Sequence, residues 1–66
     1  MLRLKEKDKE ISEMLENIRI AHGEWKTKEK LFQEVTDPDL VDFAIYELEA
    51  SKLKYMYLLK LLKKIM

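Results

Sequence analysis

One proline, Pro38, and one glycine, Gly23, are all that the 66 residues contain of the two types on which turns chiefly depend. Ordinary chains use about 7% Gly and 5% Pro, and loops draw on both. This chain therefore has room for very few reversals, and Pro38, in Val35-Thr36-Asp37-Pro38-Asp39, is the convincing one. Proline suits the first turn of a helix, where its missing N–H is no loss. Asp37 or Thr36 ahead of it can cap the orphan amides, and Asp39 and Asp42 then lie near the positive end of the helix dipole. The spacing leaves the two caps open and predicts a helix starting near residue 37 or 38.

Before that break, apolar side chains recur every seven residues. Leu4, Ile11, Ile18, Trp25 and Phe32 share heptad position a, and Lys7, Met14, Ala21, Lys28 and Val35 share position d, with Leu15 widening the stripe. A phase held over five heptads predicts one helix over about 3–34. Gly23 falls on its outward side, at a cost of roughly 1 kcal/mol against alanine, either as a tolerated surface residue or as a kink at His22-Gly23. After Pro38 the repeat restarts with Val41, Leu48, Tyr55 and Leu62 at a, and Ala44, Ser51, Leu58 and Ile65 at d. The second helix is expected over about 38–64, with a turn at about 35–37.

Two long helices joined by so short a turn fold back on each other. The expected fold class is all-α: an antiparallel two-helix hairpin, with 1–66 as a single unit. Residues whose numbers add to about 73 then share a level, so Phe32 faces Val41, Trp25 faces Leu48, Ile18 faces Tyr55 and Ile11 faces Leu62. Ala21 and Ser51 make a small layer that leaves volume for the rings beside it.

Such a hairpin is a rod of roughly 48 Å with one seam and no enclosed core. Chains this short gain only about 3–5 kcal/mol from a single core, and two helices enclose less than that. The second helix also carries more apolar surface than one partner can cover, because Phe43, Ala50 and Tyr57 form a second row and Tyr46 and Leu53 a third. A helix apolar on most sides is buried on more than one. The expected assembly is a homodimer, two hairpins forming a four-helix bundle with the second helix central. Phe43, Tyr46, Leu53 and Tyr57 are the candidate interface, for a second copy or for an unknown protein partner. The 13 basic and 13 acidic residues cancel overall, yet residues 34–50 hold six acids and no base, and residues 51–66 hold five lysines and no acid. Between chains this favours an antiparallel pair, the acidic turn of one hairpin beside the basic open end of the other.

The same composition argues against several classes of function. Zero net charge speaks against a generic nucleic-acid binder, and the lack of cysteine excludes disulfides, Cys-ligated zinc and thiol chemistry. The longest uncharged run, Tyr55 to Leu59, is five residues, where a bilayer span needs about 20. The opening run Met-Leu-Arg-Leu-Lys-Glu-Lys-Asp-Lys-Glu has no apolar stretch of the signal-peptide kind, so a cytoplasmic location is expected. His22 is the only histidine, and a metal site normally takes three or four ligands, so neither metal nor cofactor is expected. Glu6, Glu10, Glu13 and Glu16 read as a solvated face, one glycine cannot build a phosphate loop, and Ser12 and Ser51 belong to no Ser/His/acid set. No enzymatic activity is expected.

The stretch from Lys52 to Met66 taken alone is a basic amphipathic helix of the kind that meets a membrane surface or a partner's groove. Its leucines also continue the seam and its lysines suit a helix C-terminus, so packing accounts for both. The competing functional reading is nucleic-acid or anionic-membrane-surface binding through this basic open end: Lys52, Lys54, Lys60, Lys63 and Lys64, joined by residues 1–10 with four bases and three acids. Trp25, Tyr46, Tyr55 and Tyr57 could form a base-stacking platform, but aromatics at helical spacing ordinarily serve a core or an interface.

The order of residues from the middle of the chain onward resembles a known family. Glu24-Trp25, Thr36-Asp37-Pro38-Asp39-Leu40-Val41-Asp42, Ala44-Ile45-Tyr46-Glu47-Leu48-Glu49-Ala50, Lys54-Tyr55 and Leu58-Leu59-Lys60 are similar to the YaaL-like family of small bacterial proteins, a domain of unknown function. The resemblance covers about residues 24–60. The family often carries Glu after its Leu-Leu-Lys/Arg step, where this chain has Leu61-Leu62, an apolar ending that favours packing there. The resemblance implies a bacterial, cytoplasmic protein and supplies no activity. The expected function is that of a non-enzymatic, self-associating protein–protein interaction or adaptor module.

Overall fold

The computed structural model describes residues 2–66, with side-chain surroundings from residue 6 onward. Leu4, at the first a position, and Arg3 and Lys5, at the basic open end, therefore lie outside the described side chains. Two α-helices, α1 (Leu2–Glu34) and α2 (Pro38–Ile65), pack against each other as a hairpin, and there is no strand among the described residues. α1 continues through His22-Gly23 unbroken, and a Cβ built on Gly23 would meet nothing within 4 Å.

The reversal is built from three residues and one carboxylate. Val35 still donates its N–H to the Leu31 carbonyl at 3.1 Å, so the hydrogen bonding of α1 persists just past its last residue. Asp37 then takes extended backbone angles, φ −71° and ψ 125°, and its Oδ1 accepts from the Asp39 N–H at 2.9 Å. Of the two caps open in the sequence, the structure uses Asp37. Pro38 follows at the start of α2, with Asp39 in the first turn and Lys63 and Lys64 in the last, an ordering that suits the helix dipole at both ends.

Among the described residues only Ala21 and Ala44 are buried along the seam, at 0% and 3% exposure. Both occupy d positions, where a single methyl group lets the partner helix cover the site completely. The larger seam residues around them, among them Ile18, Trp25, Phe32, Leu48 and Leu62, are half-buried, because a neighbour on one side alone cannot enclose them. Ser51 is also half-buried; its Oγ donates to the Leu48 carbonyl at 2.9 Å, which satisfies the hydroxyl inside its own helix.

The cross-helix pairs are displaced from those that level matching alone predicts. Trp25 is paired by that rule with Leu48, and Ile18 with Tyr55; in the structure the Tyr55 ring lies 5.4 Å from the Trp25 ring. Lys28 reaches Glu47 at 3.4 Å and Glu24 reaches Lys54 at 3.5 Å, both shifted in the same direction. Side-chain tilt acts in this direction. Every Cα–Cβ bond leans toward its own helix N-terminus, so each residue covers a spot about one position before itself. In an antiparallel pair the two leans add, and long side chains extend the shift. The resulting rod measures 56 × 15 × 11 Å with a radius of gyration of 15.8 Å, where a compact chain of this length gives about 11 Å.

Candidate functional site

Outside the seam, a stripe of exposed apolar residues runs along α2. Phe43, Tyr46, Leu53 and Tyr57 are 58–70% exposed. With Ala50 between them they recur at intervals of three and four residues, the alternation of a two-stranded coiled-coil seam. At 3.6 residues per turn the stripe lies roughly 150° around α2 from the line of Ala44 and Tyr55. The hairpin thus uses one side of α2 and leaves a second heptad seam open on the other. The four candidate interface residues are brought together on one face.

Charge closes the stripe at each end. Asp39 sits four residues before Phe43, and Lys60 and Lys64 sit three and seven residues after Tyr57; all three are exposed. Continued at the same intervals, the stripe reads acid, five apolar positions, then two bases. The basic end is less uniform than its composition implies. Lys54 is held beside Glu24 across the hairpin, while Lys52, Lys60, Lys63 and Lys64 point into solvent. Lys28, at a d position, likewise serves α1–α2 pairing through Glu47. Neither ion pair is visible from heptad position alone; adding the tilt of the side chains finds Lys28–Glu47, and the longer reach of Lys54 to Glu24 lies in the same direction.

The aromatic residues divide between two places and form no single platform. Trp25 and Tyr55 belong to the seam, where His22 meets the Trp25 ring edge-on at 5.9 Å and the Tyr55 ring at 5.3 Å. Lys26 Nζ lies 4.8 Å from the centre of the Trp25 ring. Tyr46 and Tyr57 stand on the outer stripe instead. On α1 the exposed apolar residues Leu15, Ile20 and Leu31 are scattered singly and make no comparable stripe. The Arg19 guanidinium donates two hydrogen bonds to Glu16, at 2.6 and 3.1 Å. First through those bonds and then through its charge, it holds the Glu16 carboxyl below its ordinary value, and Glu16 raises Arg19 in return. Both side chains are largely exposed, so this is a local helix pair and no part of a site.

Among the described residues no group of three or more His, Asp or Glu is placed to hold a metal ion. No helix among them is long and apolar enough to cross a membrane. No curated protein and no solved structure matches the chain. A family described as "Protein of unknown function (DUF2508)" matches residues 2–65, nearly the whole hairpin and all of the exposed stripe, and the chain belongs to that family.

Proposed function

We propose that the protein is a non-enzymatic, self-associating helical module whose working surface is the outer face of α2, two hairpins pairing there into a four-helix assembly with α2 central. The observation that carries this reading is the open heptad seam of Phe43, Tyr46, Ala50, Leu53 and Tyr57 on a helix already packed along its other side. Contiguous apolar surface of this kind marks an interface. Covering a Phe or Leu that is otherwise exposed contributes about 1.5–3 kcal/mol, and this stripe offers several such side chains at once. The same reading takes the chain as YaaL-like and bacterial, working in the cytoplasm as an adaptor between copies of itself and other proteins. The motifs around Asp37-Pro38 and Lys54-Tyr55 support that naming.

The test is a double variant, Tyr46→Glu with Tyr57→Glu. It places two carboxylates on the stripe and leaves the α1–α2 seam untouched. The variant is expected to sediment as a smaller species than the unmodified chain and to melt at a lower temperature. If its size and melting temperature equal those of the unmodified chain, the outer face of α2 is not an interface.

A further inference from the structure

We infer that the occupant of the α2 stripe is a second copy running antiparallel, with Asp39 against Lys64 of the partner subunit and Tyr46 against Tyr57 of the partner subunit. This rests on the self-association reading above and specifies its geometry.

Area and charge both point to a second copy. The chain exposes 5675 Å², whereas a folded monomer of 8.0 kDa is expected to expose about 4,450 Å². The excess of about 1,200 Å² exceeds the roughly 800 Å² per partner that a standard stable interface buries. The stripe is also self-complementary. It begins with Asp39 and ends with Lys60 and Lys64, and none of these three has an ion-pair partner among the described residues. Laid parallel, two stripes set Asp39 on Asp39 and each lysine on its own copy, so every charged layer is repulsive. Laid antiparallel, acid meets base at both ends, as the two-fold symmetry of an isologous dimer requires.

The register follows from the same residues. In an antiparallel seam the row of Phe43, Ala50 and Tyr57 interleaves with the row of Tyr46, Leu53 and Lys60 from the partner. Matching Asp39 with Lys64 of the partner subunit places Tyr46 on Tyr57 of the partner subunit and Ala50 on Leu53 of the partner subunit. The lysine stem at 60 then lies along the Phe43 ring of the other copy, a favourable position for an ammonium near an aromatic face. Sliding by one heptad, so that Asp39 meets Tyr57, leaves Lys60 and Lys64 with no carboxylate opposite. The small Ala50 near the two-fold axis lets the two backbones approach between the aromatic layers.

Zero-length coupling of carboxylates to amines, on an equimolar mixture of light and heavy isotope-labelled chains, tests this without altering the sequence. Within one chain, Asp39 and Lys60 are separated by about 30 Å of helix, so coupling between them must join two copies. The expected result is links from Asp39 or Asp42 to Lys60, Lys63 or Lys64, about half of them carrying one light and one heavy peptide, as an exchanging two-fold dimer gives. Mixed-label links confined to residues at the same end of the rod overturn the antiparallel order while leaving self-association intact. The absence of any mixed-label link overturns the antiparallel pairing, and together with a mass of one chain in solution at the same concentration it overturns self-association as well.

Discussion

Asp37 closes the reversal with one oxygen atom, and the residue beside it explains why the sequence left that choice open. Thr36 and Asp37 both offer a side-chain acceptor of the capping kind, and only the extended backbone at Asp37, with the 2.9 Å bond to the Asp39 amide, separates them. Replacing Asp37 with alanine is expected to lower unfolding stability by about 1 kcal/mol, and Thr36→Ala by less than about 0.5 kcal/mol, read by urea denaturation. Equal losses at both positions would contradict the assignment. Gly23 is the converse case, legible as outward-facing from its heptad position. The structure adds that α1 stays helical there and that the space around it is empty, which no pattern of residues can show. Gly23→Ala is therefore expected to raise stability by about 0.5–1 kcal/mol in the same measurement, through helix propensity and a less disordered unfolded chain.

The two helices were legible as elements because their heptads hold phase on either side of Pro38. The contacts between them were not, because residue numbers specify levels while side chains lean. Trp25 against Tyr55 and Glu24 against Lys54 are both displaced in the direction of that lean, and by more than the two positions it supplies, the rest being spanned by long side chains. The tight point of the seam was half legible: Ala21 was expected in a small layer with Ser51, and it is fully buried, whereas Ser51 is only half-buried. Enlarging that point tests the seam directly. Ala21→Leu has no free volume beneath α2 and is expected to cost about 1–3 kcal/mol, measured by thermal or urea unfolding. An unchanged stability would mean that the helices do not close at Ala21. On α2 the outer row was legible as surplus apolar surface. That it forms a continuous seam away from α1 required knowing which side α1 covers.

At the scale of the whole molecule the rod is under-buried. Its 5675 Å² of exposed surface is about half of the roughly 11,600 Å² of its unfolded chain, where domains near 60 residues bury about 60%. Under the proposed pairing stability is coupled to assembly, and the melting temperature is expected to rise with protein concentration, as it does whenever the folded state binds a copy of itself. A melting temperature constant over a hundredfold dilution through the micromolar range would speak against that coupling. The segregated charges, which cancel over the chain, are placed by the proposed pairing at the two ends of the stripe. Titration with duplex DNA or anionic vesicles at low salt, where the electrostatic term is largest, is accordingly expected to show no more than weak binding. Tight, salt-sensitive binding there would favour the basic end, Lys52, Lys60, Lys63 and Lys64, as the working surface. The central claim, that the chain is half of its folded unit, is tested most directly by sedimentation equilibrium of the unmodified protein at micromolar concentration. The account predicts a mass twice the 8.0 kDa of the chain; a species that remains at 8.0 kDa throughout that range contradicts it.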